Sequence, residues 1–181
     1  MVSAAVGNPA GSIPVATIWS WLDEVPDPEL PVVSVVDLGI VREIAWSASA
    51  GEAELVVTIT PTYSGCPATE VIADSIRAAL QNHGIGKVRL QTRLAPAWTT
   101  DWLSDTARDK LRRFGITPPA EKAGEHVVDA SRIFRRGAAA ICCPRCGSAD
   151  TQRVSQFGST PCKALYRCKS CSEPFDYLKP H

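Results

Sequence analysis

Apolar side chains in the first part of the chain recur at helical spacing in some segments and at strand spacing in others. Residues 13–24 place them at positions 15, 18, 19 and 22, which predicts a helix. Residues 39–47 predict a strand, and residues 52–60, which alternate and are rich in β-branched side chains, predict a second. The intervening "SASAGE" predicts a hairpin turn. Residues 67–82 carry apolar groups on one helical face, and glycines at 84 and 86 end that helix.

The pattern continues with one more strand and one more helix. Residues 87–98 alternate and predict a third strand, and residues 105–114 predict a helix that Ser104 caps and Gly115 ends. Four prolines, at positions 14, 26, 28 and 31, prevent a continuous helix there, so we expect residues 26–34 to form an extended loop. The order α-β-β-α-β-α predicts an α/β fold of the two-layer α+β kind, with helices packed on a short mixed sheet over residues 12–115.

Composition and charge narrow the class of protein. The chain has 181 residues, 45% of them apolar, and a formal net charge of zero, so strong non-specific binding to nucleic acid or membrane is not indicated. No apolar run is long enough to span a bilayer, and the first residues lack the pattern of a signal peptide, so we expect a cytoplasmic protein. Residues 116–140 shift in composition and predict a linker, with a short ordered piece at 126–134.

Cysteines are concentrated near the C-terminus. Six of the seven lie in the last 40 residues, and the odd total argues against a complete disulfide framework. Four of the six form two C-x-x-C pairs separated by 21 residues, namely Cys143, Cys146, Cys168 and Cys171. Each pair places two thiolates on one tight turn, and two such turns on a β-hairpin make a closed tetrahedral site that is typical of structural zinc.

Residues 141–181 are therefore predicted to form a Cys₄ zinc ribbon, with a strand at 175–178. The six basic residues of this segment, against three acidic ones, suit the charge of a zinc ion bound by four thiolates. So short a segment buries little apolar area, so metal would have to stabilise it. Two alternatives stay open: iron in the same site, with Cys142 or Cys162 completing a cluster site, and a reduced tail without structure.

The seventh cysteine lies in "TPTYSGCPATEVI", between the second strand and the second helix. If Pro67 is the first helical residue, Cys66 is the N-cap and its sulfur lies at the positive end of the helix dipole. A thiol in that place can act as a nucleophile or a metal ligand. The alternative is a small buried residue at the start of a helix. A thiol enzyme is the weaker functional form, because no His or Lys stands at a fixed spacing to act as its base.

An acidic residue in "DPELPVVSVVDLGIV" is the second candidate. Asp37 precedes Leu38 and Gly39 at the turn into the first strand. Its functional role would be to orient Cys66 or to hold a metal beside it, and its structural role would be that of a cap or an Asx-turn. The isolated His83 and His126 are expected at the surface, and the five tryptophans are expected in the core.

These motifs resemble those of a known family. The pattern Asp-Pro-Glu-Leu-Pro, then Asp-Leu-Gly, then Thr and Cys-Pro is similar to that of the SufT-like metal–sulfur cluster assembly family, over about residues 13–100. Together with the Cys₄ tail, it resembles one branch of that family, whose members are subunits of phenylacetyl-CoA epoxidase (ring-1,2-oxygenase) complexes. The resemblance implies a role in iron–sulfur cluster assembly, with Cys66 and Asp37 at the positions of the family's cysteine and acidic residue.

The resemblance also implies the partners. They would be the other subunits of a phenylacetyl-CoA epoxidase in aerobic phenylacetate catabolism, notably the reductase that carries an Fe–S cluster. The chain has no Glu-x-x-His pair for a di-iron site and neither the ferredoxin cysteine run nor G-x-G-x-x-G, so we expect an accessory protein without activity of its own. It would handle iron or a transient Fe–S cluster beside a structural zinc. The alternative is a non-catalytic structural subunit, and a homodimer stays open.

Overall fold

The structure is a computed structural model and describes residues 13–49, 52–63, 65–119 and 141–180. In chain order its elements are α1 (Val15–Leu22), β1 (Val41–Ser49), β2 (Glu52–Ile59), α2 (Ala68–Asn82), β3 (Val88–Thr92), a 3₁₀ helix (Thr100–Trp102), α3 (Asp105–Phe114), β4 (Ile116–Thr117), β5 (Thr151–Ser155), β6 (Lys163–Cys168) and β7 (Pro174–Leu178). The chain divides into two compact units between Trp98 and Thr99. No helix among the described residues is long and apolar enough to cross a membrane.

The first unit has a three-stranded mixed sheet in the order β1-β2-β3. β1 and β2 are antiparallel and pair from Val41 with Ile59 to Ser49 with Glu52, which confirms the predicted hairpin; Ala50 and Gly51 of its turn lie outside the described residues. β3 is parallel to β2. Parallel neighbours need a crossover connection, and α2 provides it. The predicted short mixed sheet with packed helices is confirmed.

Both helices of this unit pack on the sheet through one apolar face. α1 contacts α2 and β1, and α2 contacts β3. The buried side chains come from the positions that the helical and alternating patterns select, and they include Ile18, Leu22, Leu55, Val57, Ile59, Ile72, Ile76 and Leu80. The predicted periodicity therefore marks the core of the unit, where burial of apolar area is the main stabilising contribution.

The third strand is shorter than expected. It ends at Thr92 instead of continuing to residue 98, although the amide of Arg93 still donates to the carbonyl of Ile59 at 2.8 Å. Leu94, which the alternating pattern places on the core face, is 58% exposed. Pro96 cannot donate to a ladder, which is a reason for the chain to leave the sheet before it.

The second unit has a four-stranded sheet in the order β4-β7-β6-β5. β5, β6 and β7 are antiparallel neighbours, and β7 confirms the strand predicted at 175–178. The prediction for α3 is also confirmed: the Ser104 hydroxyl accepts a hydrogen bond from the Ala107 amide, and Gly115 ends the helix at φ +93°. A positive φ of this kind is readily adopted only by glycine.

The start of the predicted linker is structured. Ile116 and Thr117 form β4, which pairs in parallel with Asp176 and Tyr177 of β7. Two residues are too few to show a periodic pattern, so the sequence contains no sign of this strand. Residues 120–140, with the ordered piece expected at 126–134, lie outside the described residues. The limits of the predicted domains stay a prediction.

Candidate functional site

The first C-x-x-C pair lies on a turn before β5. The amide of Gly147 donates to the carbonyl of Cys143 at 2.9 Å, and the amide of Cys143 donates to the carbonyl of Ser148 at 2.9 Å. Gly147 adopts φ +73°, a conformation that glycine reaches without steric cost. This backbone arrangement brings Cys143 and Cys146 to the same side of the turn.

The second pair begins at Cys168, the last residue of β6, and continues into the turn that follows. The amide of Cys168 donates to the carbonyl of Glu173 at 2.9 Å, which closes the turn that joins β6 to β7. The hydroxyls of Ser148 and Ser170 lie 2.8 Å apart and join the first turn to the second. Two hydrogen-bonded turns, held by one sheet, therefore face each other.

The four sulfur atoms of Cys143, Cys146, Cys168 and Cys171 all lie within 4.8 Å of one another. The Sγ atoms of Cys143 and Cys171 are 3.7 Å apart, and those of Cys146 and Cys168 are 3.6 Å apart. A tetrahedron with zinc–sulfur bonds of about 2.3 Å has edges of about 3.8 Å, so the sulfur positions fit a zinc ion. Cys143 and Cys168 are buried, whereas the other two are exposed.

Without a cation, the thiols share protons unequally. A hydrogen bond from the Cys171 amide lowers the pKa of Cys168 to about 7. The Glu173 amide lowers the pKa of Cys171, but the Cys146 thiol, burial and the other two thiols outweigh it and raise that pKa to about 12. Close thiolates repel one another, so all four ionise together only when a metal ion replaces their protons.

The surroundings of the four thiols also suit a structural metal. Cys143, Cys168 and Phe175 form a buried cluster, against which Ile141 and Tyr166 pack. All four coordination positions of a zinc ion would be occupied by protein sulfur, so no position stays open for a substrate. Zinc bound here would fix the two turns and the strands that carry them.

Cys142 and Cys162 lie outside the sulfur group. Cys142 is exposed, and its carbonyl accepts a hydrogen bond from the Thr117 hydroxyl at 2.9 Å. Cys162 is buried, with its sulfur 3.0 Å from the hydroxyl oxygen of Thr160. The structure therefore brings together the four cysteines of the two C-x-x-C pairs and leaves these two apart. The choice between zinc and iron in the site stays a prediction.

Cys66 lies half-buried in the connection from β2 to α2. Its amide donates to the carbonyl of Tyr63 at 3.1 Å, and its carbonyl accepts from the amide of Thr69 at 3.2 Å. α2 begins at Ala68 with Pro67 as its N-cap residue and without a side-chain cap, so the thiol lies one residue before the expected position. The backbone of Cys66 is thus joined to the first turn of the helix, although its side chain does not cap it.

Asp37 is buried and is held by one serine. One of its carboxylate oxygens accepts from the amide of Ser34 at 3.2 Å, and its own amide donates to the Ser34 hydroxyl oxygen at 2.9 Å. The same hydroxyl donates to a carboxylate oxygen of Asp23 at 2.6 Å. Ser34 did not emerge from the sequence as a candidate, although the spacing Ser-x-x-Asp is one in which side chain and backbone bond reciprocally.

The loops that carry Asp37 and Cys66 leave the same end of the β-hairpin. Val41 opens β1 and pairs with Ile59 near the end of β2, and the amide of Thr60 donates to the carbonyl of Ile40 at 2.8 Å. In the part of the chain that the structure describes, neither candidate belongs to a group of three or more metal-ligating side chains. Their functional roles stay a prediction.

The remaining candidates from the sequence are placed as follows. His83 is exposed, as expected, and its ring stacks on that of Trp21 with centroids 3.9 Å apart. His126 lies outside the described residues. The prediction that the five tryptophans lie in the core is confirmed for Trp46 and Trp98, which are buried. The other three are half-buried. The indole N–H of Trp98 donates to the carbonyl of Leu38 at 2.8 Å and so fixes the loop beside Asp37.

Two sequence families match the chain in separate segments. The family described as "Iron-sulfur cluster assembly protein" matches residues 15–90, which include both Asp37 and Cys66. The family described as "PaaD zinc beta ribbon domain" matches residues 129–179, which include the four clustered cysteines. The predicted zinc-ribbon fold of the C-terminal segment is confirmed by this match and by the sulfur geometry.

Similar proteins are known in several bacteria. A protein of Escherichia coli (strain K12), provisionally named as a subunit of 1,2-phenylacetyl-CoA epoxidase, is 48% identical over 91% of this chain and 92% of its own length. An Fe-S protein maturation auxiliary factor of Porphyromonas gingivalis (strain ATCC BAA-308 / W83) is 32% identical over 47% of this chain and 78% of its own length. A solved domain of unknown function from Bacillus anthracis is 26% identical, covers 53% of this chain and 89% of its own, and has a TM-score of 0.47.

Proposed function

Because the chain belongs to the PaaD family of 1,2-phenylacetyl-CoA epoxidase subunits, we propose that it is an accessory protein that matures such an epoxidase complex in phenylacetate degradation. The observation that carries the proposal is a combination within one chain. A segment that matches iron–sulfur cluster assembly proteins precedes a zinc ribbon, and the whole resembles an epoxidase subunit along 91% of its length. The cargo would be an Fe–S cluster or iron.

Cys66 would bind the cargo transiently. Its thiol is half-buried, so it is partly accessible to solvent. Cys66 follows β2, at the end of the hairpin from which the Asp37 loop also leaves. A cysteine thiolate is the usual protein ligand of iron in Fe–S clusters. Asp37, fixed by Ser34, would hold this end of the hairpin in shape and orient the thiol or bind iron beside it.

The Cys₄ site would have a different task. Its four sulfur atoms fit a resident zinc ion, whose chemistry here is to cross-link the two turns of the ribbon. The Fe–S reductase subunit is the proposed recipient of the cargo, since it is the component for which a cluster is needed. We place this transfer in the cytoplasm, where a reducing medium keeps the thiols available.

The test is to express the remaining epoxidase subunits with the wild-type protein, with Cys66→Ser, with Asp37→Asn or with Cys142→Ser, and then to purify them free of it. After co-expression with the wild type or with Cys142→Ser, we expect full epoxidation of phenylacetyl-CoA and full iron and sulfide content. Cys142→Ser is the control, because it removes a thiol that is exposed to solvent and has no proposed role in transfer. Cys66→Ser should leave both low. Equal iron, sulfide and turnover with all four proteins would contradict the proposal.

A structural subunit is the second candidate. It is favoured by the naming of the E. coli relative as a subunit, and by the absence of a ligand group around Cys66 and Asp37 among residues 13–49, 52–63 and 65–119. Activity that returns only when the purified protein is added back, with Cys66→Ser as effective as wild type, would establish this role. Full turnover in its absence would favour maturation.

A further inference from the structure

The charges of the ribbon are unevenly compensated. Each of its three acidic residues has one basic partner, at 3.5, 3.7 and 3.3 Å for the pairs Lys163–Asp176, Arg145–Glu173 and Lys169–Asp150. The other three basic residues of the ribbon are Arg153, Arg167 and Lys179. Their hydrogen bonds in the described part of the ribbon go to neutral oxygen atoms, those of the Gln156 side chain, the Ser172 carbonyl and the Gln156 carbonyl.

Near the end of β5, Lys179 lies over the exposed ring of Phe157, and Arg153 directly precedes the exposed Val154 in the strand. Arg153 donates to the Gln156 side chain at 2.7 Å, and the Lys179 ammonium lies 3.4 Å from the Gln156 carbonyl and 4.5 Å from the centre of the Phe157 ring. Val154 lies between Arg153 and Ser155, where a β-bulge interrupts the pairing with β6. We call the surface formed by Arg153, Val154, Phe157 and Lys179 the β5 tip surface.

The apolar part of this surface is unusually open. Phe157 is 63% exposed and Val154 58%, and they are two of the five large apolar side chains that are exposed among the described residues. Bulges often re-aim a side chain, and the exposed Val154 lies at this one. Aromatic side chains and arginine are both enriched at protein interfaces, and this surface carries one of each, Phe157 and Arg153.

We propose that the β5 tip surface is a docking site for a protein partner that presents carboxylates around an apolar contact. The two apolar side chains would be buried, and the two cations, whose hydrogen bonds within residues 141–180 go to neutral oxygen atoms, would face the partner's acidic groups. The proposal rests on the proposed function for the identity of the partner, which is another component of the epoxidase complex. In this proposal the ribbon binds the partner, whereas Cys66 carries out the chemistry.

Charge favours a protein over a nucleic acid. Affinity for nucleic acid is dominated by contacts between several basic side chains and phosphates, whereas this surface offers two cations on a chain of net charge zero. Val154 adds apolar area but no π-face for stacking on a base. An acidic surface with an apolar pocket complements all four side chains.

The test measures binding of the full-length, zinc-loaded protein to the immobilised complex of the remaining subunits at 50 and 300 mM NaCl. We expect Phe157→Ala and the double variant Arg153→Glu/Lys179→Glu each to weaken binding about tenfold or more, since hot-spot truncation and charge reversal have such effects. Phe114→Ala, an equally exposed aromatic on α3, and Arg167→Glu, the third uncompensated cation, are the matched controls and should stay within about twofold. Zinc content equal to wild type shows that each variant is folded.

The outcomes separate this proposal from the proposed function. Loss of binding in the tip variants but not the controls supports docking, even if Cys66→Ser matures the complex normally and the maturation role fails. Wild-type binding by the tip variants, equal losses in the controls, or no binding of the wild type to the complex overturns the docking site, whatever Cys66 does. Binding of a 20-base-pair DNA duplex or a 20-nucleotide RNA at 150 mM NaCl that the double variant loses would also overturn it.

Discussion

A single buried serine, Ser34, joins the loop that carries Asp37 to Asp23 at the end of α1. The Ser34 hydroxyl accepts from the Asp37 amide and donates to the Asp23 carboxylate, while the Ser34 amide donates to the Asp37 carboxylate. A third carboxylate, that of Asp27, accepts from the amides of Glu29 and Leu30 at 2.9 and 2.8 Å. Buried polar groups in a loop rich in proline are thus satisfied by side chains, because no regular ladder is available to them.

Replacing Ser34 by alanine should destabilise the first unit. The substitution removes the acceptor of the Asp37 amide and one donor to Asp23, and a buried unsatisfied group costs about 1–3 kcal/mol. Ser20→Ala is the control, since the Ser20 hydroxyl only donates to the Thr17 carbonyl on the exposed side of α1, and it should change stability by about 0.5 kcal/mol or less. Urea denaturation measures both, and equal stabilities would show that the serine contributes nothing.

Zinc binding should release protons and weaken as the pH falls. The pKa of Cys171 is raised to about 12, and that of Cys146 is also raised, so both thiols are protonated at pH 7 without metal. Because the ligand is the thiolate, each bound ion should displace about two protons or more at pH 7. The stabilisation by metal is therefore present at high pH and is lost as the pH falls.

Calorimetry at pH 7 in two buffers of different ionisation enthalpy measures the number of protons released. Cys171→Ser should release fewer protons per zinc ion, whereas Cys142→Ser, outside the sulfur group, should release as many as the wild type. Release of less than one proton per ion by the wild type would mean that the neighbouring thiols do not hold protons as inferred.

At this scale the sequence predicts some residues and not others. The four clustered cysteines could be predicted, because the short C-x-x-C spacing already places the two sulfurs of each pair on one turn. Ser34 could not, because its role depends on Asp23 and Asp37 meeting it in three dimensions. The start of α2 was predicted one residue too early, at Pro67 instead of Ala68, so Cys66 precedes the N-cap residue. Helix boundaries commonly differ by one or two residues.

At the scale of elements, the loop between β5 and β6 packs closely on the strands beside it. The Gly158 amide donates to the Lys163 carbonyl at 2.8 Å. A Cβ atom added at Gly158 would lie 3.0 Å from a carboxylate oxygen of Asp176 and 3.2 Å from the Cβ of Lys163. The buried Lys163 is in turn paired with Asp176 at 3.5 Å, so the loop covers a charged pair.

Gly158→Ala should therefore lower the stability of the ribbon by about 1–3 kcal/mol, the usual effect of overpacking. Gly86→Ala is the matched control, because a Cβ there meets nothing within 4 Å, and its effect should be small. Thermal denaturation of the zinc-loaded protein gives the comparison. Equal midpoints for both variants would show that the loop moves aside without cost.

The order of elements was predictable, and their partners only in part. Periodicity and caps predicted α3 with both of its ends, since the cap residues are local signals. β4 was missed because a two-residue strand is defined only by its pairing with β7, far along the chain. The division into two compact units between Trp98 and Thr99 depends on contacts between distant residues, which no local pattern in the sequence records.

At the scale of the whole molecule, the two units depend on different sources of stability. The first buries a set of large aliphatic side chains from two helices and a sheet, whereas the cluster beside the four thiols has few apolar members. We therefore expect the ribbon part of the second unit to rely on metal, because so short a segment buries too little apolar area to offset the loss of conformational entropy. The same division separates the thiol proposed for cargo from the surface proposed for docking.

Removing the metal should therefore unfold the ribbon and leave the first unit folded. Chelation of zinc should abolish the NMR amide dispersion of β5, β6 and β7, since binding free energy is folding free energy in such sites, while the signals of β1 and β2 persist. Cys168→Ser, which removes a buried ligand, should reproduce the effect without chelator, and Cys162→Ser, a buried cysteine outside the sulfur group, should not. Retention of β6 signals after complete metal removal would show that the strands fold by their own packing.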